Sequence, residues 1–244
     1  MKSLLIKEIR GFFNSLTGYL VVIVFLLLNS LFLWILPGNF NILDGGYASL
    51  DNLFLLSPWV FLFLIPAITM RLFADEKRGG TMEFLLTKPI TDLQIILAKY
   101  LAGLLLVILS VIPTLVFYYT VHELGNPVGN IDQGGTIGSY LGLVFLGGAY
   151  VAIGLFASSV TENQIISFIL AAILSFFFFL GFDQIAGLEI FGNWDLVILG
   201  LGINEHYVSM SKGVLDTRDM IYFITLIMAF LLGTRLVLQS RKWE

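Results

Sequence analysis

The sequence predicts an all-α membrane protein with six transmembrane helices and an N-terminal amphipathic helix. Of its 244 residues, 58% are hydrophobic and only 12% are charged, and the mean hydropathy is +0.93. A water-soluble domain cannot bury that much apolar surface. The apolar residues form continuous runs of about 20, the helix length that crosses a ~30 Å hydrocarbon core, whereas membrane β-barrels show short alternating segments. Each run is predicted to be a helix, because backbone groups in lipid must hydrogen-bond internally.

Residues 1–16 are predicted to form an amphipathic helix at the membrane interface. Apolar and polar residues recur at helical spacing on opposite faces: Leu5, Ile9, Phe12, Phe13 and Leu16 against Ser3, Lys7, Arg10 and Asn14. The alternative is that this segment only extends the first span as its basic flank. The uncharged run over residues 11–43 is longer than the apolar core of a signal peptide and ends without a small-residue cleavage site, so we interpret it as a retained span.

Six apolar segments are predicted to cross the membrane, which places both termini on one side. They cover residues 17–36, 52–70, 93–121, 139–160, 165–182 and 220–239. Thr91 and Gln94 form the pattern of a capping box at the start of the third span. Pro113 predicts a kink within that span, and Pro66 predicts another in the second.

The distribution of basic residues predicts the orientation. Eleven of the thirteen Lys and Arg residues fall at one end of the predicted bundle, and only Lys212 and Arg218 fall at the other. By the positive-inside rule the first end, with both termini, is cytoplasmic, and residues 183–219 form an extracellular loop. Lys99 and Arg235 lie close enough to the cytoplasmic ends of their spans to extend their charges to water. The spans lack the midplane carboxylates that an ion-coupled transporter usually needs.

Residues 71–92 are the most polar stretch between two spans, with charges of both signs, a short apolar stripe and Gly and Pro breaks. This composition predicts a docking element for a soluble protein, and the plain alternative is a solvated loop.

The chain has no P-loop, and it contains neither a G-x-S-x-G nor an H-E-x-x-H motif. Because Cys is absent, disulfides and thiolate metal sites are excluded.

The fourth span carries small residues at helical spacing that let another helix approach closely. The candidates are Gly138, Gly142, Gly148 and Gly154. They predict a packing face for a second subunit, and contacts within one subunit remain the alternative.

The extracellular loop at residues 183–219 contains an apolar stretch at residues 196–203 that is too short to cross the membrane. A re-entrant hairpin and a small cap packed on the spans both fit this pattern. His122–Glu123 and Glu205–His206 are the two histidine sites, and either a functional pair or ordinary loop polarity fits them.

Three stretches resemble ABC-2 type permeases, in the order expected between six spans. In residues 73–90, acidic and basic residues come before Gly-Thr-Met-Glu, a Leu-Leu pair and Lys-Pro. Residues 158–164 and 205–216 resemble later loops of these permeases. The likeness covers essentially the whole chain, which is taken as a single permease domain over residues 1–244. The Gly79–Gly80 pair departs from the single Gly of many relatives. Within the family the chain is most similar to gliding-motility-associated permeases.

The resemblance implies a permease subunit in the cytoplasmic (inner) membrane of a bacterium. Two permeases, identical or related, would each rest on a separate ATP-binding subunit that holds ATP and Mg, so that this chain itself carries no cofactor. Membrane lipid would surround it, and nucleic acid would not be a partner. The implied ATPase-coupling residues are Glu76, Arg78, Thr81, Glu83, Phe84 and Leu85, with residues 1–16 as a brace. The implied external gate uses Leu196, Leu199, Glu205 and His206.

Two other functions remain open on the sequence. A non-transporting membrane scaffold in a motility or assembly complex fits because nothing in the chain identifies a cargo. An intramembrane enzyme using Glu205 and His206 lacks a convincing nucleophile.

Overall fold

A computed structural model describes residues 1–82 and 91–240, apart from the side chain of Asn193. The described chain is helical and contains no strand, which confirms the predicted fold class. Six helices are long and apolar enough to cross a membrane, and each coincides with a predicted segment. They cover Leu16–Ile35, Asp51–Arg78, Asp92–Leu124, Gln133–Val160, Gln164–Ala186 and Thr217–Ser240.

The helices are named in chain order. They are α1 (Lys2–Asn14), α2 (Leu16–Ser30), α3 (Ile42–Gly45), α4 (Asp51–Thr69), α5 (Ala74–Arg78), α6 (Asp92–Val111), α7 (Leu115–Leu124), α8 (Gln133–Val160), α9 (Gln164–Phe176), α10 (Phe182–Ala186), α11 (Asp195–Leu199), α12 (Ile203–Ser211) and α13 (Thr217–Ser240). Wider π-helical turns at Leu31–Ile35 and Phe177–Gly181 extend the first and fifth spans.

The fourth span, α8, is the centre of the bundle. It packs against α4, α6, α9, α12 and α13. Its apolar window is 78% buried, against 28%, 22% and 17% for the first, fifth and sixth spans. These three spans therefore present most of their apolar surface outward, as expected of helices that contact lipid.

The amphipathic helix α1 is separate from the first span. Ser15 adopts an extended backbone between α1 and α2, which breaks the helix and excludes a continuous extension of the span. Leu4 and Phe12 are buried where α1 packs against α2 and α6, whereas Lys7 faces outward. The helix ends at Asn14, two residues before the predicted end, and Leu16 belongs to the first span.

Local signals in the third span are confirmed. The Thr91 hydroxyl accepts from the Gln94 backbone N–H at 3.3 Å, and the Gln94 side chain accepts from the Thr91 N–H at 3.3 Å, which forms the capping box. The α-helix ends where Pro113 removes a backbone donor, and a 3₁₀ turn at Ile112–Thr114 joins α6 to α7.

Each of the four small residues singled out in the fourth span is buried against another part of the same chain. Gly138, Gly142, Gly148 and Gly154 lie closest to Gly213, Met210, Tyr100 and Thr69, respectively. A Cβ at Gly138 would lie 2.5 Å from the Gly213 carbonyl oxygen, and one at Gly142 would lie 2.7 Å from the Met210 Cβ. Contacts within the subunit account for these glycines, and a role in dimer packing stays an untested prediction.

Gly138→Ala should destabilise the protein by about 1–3 kcal/mol, because the added methyl group meets backbone atoms that cannot turn away. The measurement is the thermal unfolding of the purified protein in detergent.

Gly134→Ala, one helical turn earlier, is the matched control. Its Cβ would have Asp132 Oδ1 at 3.6 Å as its nearest neighbour, an ordinary contact. We expect it to be neutral or to stabilise α8 by up to about 1 kcal/mol through helix propensity. Equal melting temperatures for the two variants would contradict the close approach at Gly138.

Candidate functional site

One end of the bundle gathers α1, α5, the start of α6 and the turn between α8 and α9; we call this the charged end. Lys99 of α6 lies at its centre. Its Nζ atom is 3.1 Å from Glu8 Oε1 on α1 and 3.0 Å from Glu76 Oε2 on α5. It also donates to the Leu72 carbonyl oxygen at 2.6 Å and lies 5.1 Å from the centre of the Phe73 ring.

The prediction that Lys99 extends its charge to water is wrong. Its side chain is only 1% exposed, because α1 and α5 cover it. Removing a cation from water costs several kcal/mol, which is offset only by well-placed opposite charges and hydrogen bonds. Glu8, Glu76 and the Leu72 carbonyl supply these, so that three separate elements are held at one point.

Lys7 extends the charge network to the surface. Its Nζ atom is 3.1 Å from Glu76 Oε1 and 3.7 Å from Glu8 Oε1. Partial burial lowers the pKa of Lys7, but the Coulomb attraction and hydrogen bonds of Glu76 and Glu8 outweigh it, and the pKa is raised overall. Two lysines and two carboxylates therefore balance, and the network bridges α1 to α5.

Ser158, near the end of α8, anchors the turn that leads into α5. Its hydroxyl oxygen accepts from the backbone N–H groups of Phe73 and Ala74 at 2.9 and 3.1 Å, and its hydroxyl donates to the Met70 carbonyl at 3.1 Å. It thereby satisfies two backbone donors at the start of α5 that have no partner within that helix. Ser158 lies in a stretch that carries the family resemblance, and the contact gives that stretch a structural role.

Two further contacts hold α5 against the following turn. Lys77 is 7% exposed and donates to the Ser159 carbonyl, and the Gln164 side chain donates to Asp75. The helix is therefore attached to the fourth and fifth spans as well as to the third. This end of residues 71–92 is not a plain solvated loop.

The residues predicted to couple to an ATPase divide by position. Glu76 points inward, with a side chain that is 13% exposed, whereas Arg78 and Thr81 are exposed. The Thr81 hydroxyl donates to the Glu76 carbonyl at 3.3 Å. Glu83, Phe84 and Leu85 lie outside the described residues. Glu76 thus fixes the position of α5, and Arg78 is exposed on the surface of this helix.

An open groove of about 480 Å³ lies beside Arg78. Its other lining residues are Glu162, Asn163, Gln164 and Ile165, from the turn between α8 and α9. The groove places charged and amide groups next to an exposed cation, a surface that suits a polar protein partner.

Sequence reasoning missed Glu8, Lys99 and Ser158. A signal for the first two was present, because a lysine inside an apolar span requires a carboxylate partner. Glu8 is the one carboxylate in the amphipathic segment, and Glu76 lies shortly after the predicted end of the second span at residue 70. The family resemblance marks the stretch that begins at Ser158, but it does not indicate the role of this side chain, whose partners are 84 and 85 residues away.

The predicted external gate lies at the opposite end of the bundle. Leu196 on α11 is 78% exposed, Leu199 is half-buried and Glu205 is exposed. Helix α12 packs on the spans through Ile203, Tyr207 and Met210, and the Tyr207 hydroxyl donates to the Phe54 carbonyl at 2.7 Å. Residues 182–213 thus form a set of short helices seated on the bundle.

His206 is the polar centre of residues 182–213, which we call the external cap after the orientation predicted from the sequence. Its Nδ1 atom lies 2.7 Å from Asp219 Oδ1 at the start of α13. Among the described residues, no three His, Asp or Glu side chains are close enough together to hold a metal ion.

Comparison with known proteins identifies a family for almost the whole chain. The model of a family described as "ABC-2 family transporter protein" matches residues 3–232. No curated protein matches the chain.

Lys99→Met should cost about 3–5 kcal/mol of stability, because it leaves Glu8 and Glu76 buried together without their cation. Thermal unfolding in detergent measures the loss. Adding Glu76→Gln should recover part of it, since the double variant keeps only one of the two carboxylates.

Lys7→Met is the comparison for this prediction. Lys7 touches the same two carboxylates, but its side chain is 62% exposed. An exposed ion pair contributes only about 0–1 kcal/mol. If both single variants unfolded at the same temperature, the central role of Lys99 would be disproved.

Proposed function

The chain belongs to the family of ABC-2 family transporter proteins, and we propose that its charged end couples it to a separate ATPase subunit that drives transport. The observation that carries this proposal is the attachment of α5 to the bundle. Lys99 holds Glu76 from the third span, and Ser158 holds the start of α5 from the fourth.

This attachment suits the transmission of force. A partner that moves α5 would move the ends of three spans and α1 with it, because the joining contacts are buried and hydrogen-bonded. A solvated loop would absorb the same displacement by changing its backbone angles. The charged end therefore has the rigidity that a mechanical input requires.

The proposed contact surface combines residues that the structure describes with residues 83–85, which lie outside the described part. Arg78 and the groove at residues 162–165 lie on the exposed side of α5. Glu83, Phe84 and Leu85, which follow along the chain, are proposed as its apolar and acidic part on the family resemblance. A mixed surface of this kind is typical of a protein interface.

The complete transporter is proposed to contain two permeases and two ATP-binding subunits in a bacterial cytoplasmic membrane. The family resemblance supports two permeases, and closed two-fold assemblies are the commonest among soluble oligomers. A role in gliding motility rests on the sequence likeness to permeases of that type, and the substrate is left open.

Arg78→Glu should weaken ATPase binding without unfolding the permease. Reversing a charge at an interface costs about 1.5–3 kcal/mol, roughly tenfold to a hundredfold in affinity. The permease carries an affinity tag and is purified from its native membrane. The co-purified P-loop ATPase is quantified by mass spectrometry, and Mg-dependent ATP hydrolysis is measured per permease.

Lys212→Glu reverses an exposed charge at the opposite end and is the matched control. It should retain the wild-type amount of ATPase. The proposed coupling fails if wild-type permease brings down no P-loop ATPase, or if Arg78→Glu and Lys212→Glu retain equal amounts with equal turnover.

The coupling proposal also requires α5 to face the cytoplasm. The chain has no Cys, so single cysteines can be labelled without background. A membrane-impermeant maleimide should label Lys212→Cys in intact cells and should label Arg78→Cys only after permeabilisation. Labelling of Arg78→Cys from outside would reverse the proposed orientation.

A further inference from the structure

His206 has a hydrogen-bond acceptor at each ring nitrogen. Nδ1 lies 2.7 Å from Asp219 Oδ1, and Nε2 lies 3.0 Å from the Gly200 carbonyl oxygen. A neutral imidazole has one N–H donor and one bare nitrogen. Since the carbonyl can only accept, Nε2 carries a proton, and Nδ1 then faces the carboxylate.

A second proton must therefore lie between Nδ1 and Asp219. Without it, a nitrogen lone pair would face an ionised oxygen at 2.7 Å, which is repulsive. The His206 and Asp219 side chains are only 18% and 11% exposed, so water screens this contact weakly. The closed arrangement therefore holds one more proton than a neutral imidazole and an ionised carboxylate carry together.

An imidazolium at His206 would also have an aromatic face beside it. The Tyr222 ring stacks on His206 with centroids 3.9 Å apart and planes 20° apart, as expected for a cation against an aromatic face. The Tyr222 hydroxyl is held in place by donating to the Leu201 carbonyl at 2.7 Å. An imidazolium between this ring and the Asp219 carboxylate donates from each ring nitrogen to the acceptor that faces it.

The other charged groups on the elements that carry His206 and Asp219 have both signs, because Lys212 and Arg218 lie there beside the acidic groups. Asp183 on the fifth span accepts from Asn204 at 2.6 Å and acts electrostatically on Tyr222, and Glu205 is the exposed neighbour on α12. The helix that carries His206 is held to the spans by uncharged contacts, since Tyr207 donates to the Phe54 carbonyl and Ser139 donates to the Ser211 carbonyl. The carboxylate in direct contact with the ring is that of Asp219.

We propose that protonated His206 is a pH-sensitive latch that closes the external cap onto the sixth span. The latch joins residues 200–206 to the first turns of α13 through two hydrogen bonds and one ring stack. Loss of the proton leaves the Nδ1 lone pair against Asp219 and removes the cation from the Tyr222 face. The closed cap is therefore stabilised at low external pH and released as the pH rises. This device works independently of ATPase coupling.

Nuclear magnetic resonance of a ¹⁵N-histidine-labelled chain in nanodiscs tests the proton directly. The chain has two histidines, so His122→Gln leaves His206 as the one labelled ring. Spectra are recorded from about pH 5 to about pH 9, the range in which histidine changes charge. Both ring nitrogens should be protonated in the closed state. An unprotonated Nδ1 at the acid end of this range would overturn the proposal.

Two variants that each remove one carboxylate distinguish a specific His206–Asp219 pair from a general effect of nearby negative charge. Asp219→Asn should lower the affinity of the ring for its second proton at least about tenfold, whereas Glu205→Gln, which removes an adjacent exposed carboxylate, should change it less than about threefold. Equal effects of the two variants would refute a specific pair with Asp219.

Hydrogen exchange reports whether the proton closes the cap. After correction for the intrinsic pH dependence, amide exchange in residues 200–211 should accelerate several-fold as His206 loses its second proton. In Asp219→Asn it should be fast throughout. Exchange that does not follow the titration of His206 would show that the proton leaves without opening the cap, and the latch would be wrong.

Discussion

The buried charge of Lys99 is the constraint on which the charged end depends. A lysine at that depth is tolerated only if carboxylates reach it, and both carboxylates come from other elements, Glu8 from α1 and Glu76 from α5. This requirement therefore holds α1 and α5 at the same point of the bundle. The surface offered to a partner follows from this, because α5 turns Glu76 inward and Arg78 outward.

The central span joins this end to the other. Helix α8 has 28 residues, about 42 Å at the usual helical rise, and contacts α5 near one end and α12 near the other. Ser158 holds the start of α5, while Gly138 and Gly142 receive residues 210–213 at the far end. Side chains larger than hydrogen would separate these surfaces. A displacement at α5 would thus reach the external cap through one buried helix, which gives the proposed transport cycle a direct mechanical route.

Local patterns in the sequence predict the elements of this fold and few of its contacts. Hydropathy locates all six spans and the Thr91 capping box marks a helix start, because both signals lie within one turn or one span. The partners of Lys99 are 91 and 23 residues away in the chain, and no periodicity relates them. The glycines show the same limit: their spacing predicts close approach, but only the tertiary structure shows what approaches them. Half of the proposed coupling residues lie within residues 83–90, where the sequence alone supports them.

The two ends of the molecule differ in how they respond to pH. At the charged end, the Coulomb attraction and hydrogen bonds of Glu76 and Glu8 outweigh partial burial and raise the pKa of Lys7, which favours its charged form. The external cap relies instead on a histidine, the side chain that changes charge near neutral pH. An anchor of paired charges suits the force transmission proposed for the charged end. A contact that one proton can release suits the opening proposed for the cap, and in the proposed orientation it ties that opening to the pH outside the cell.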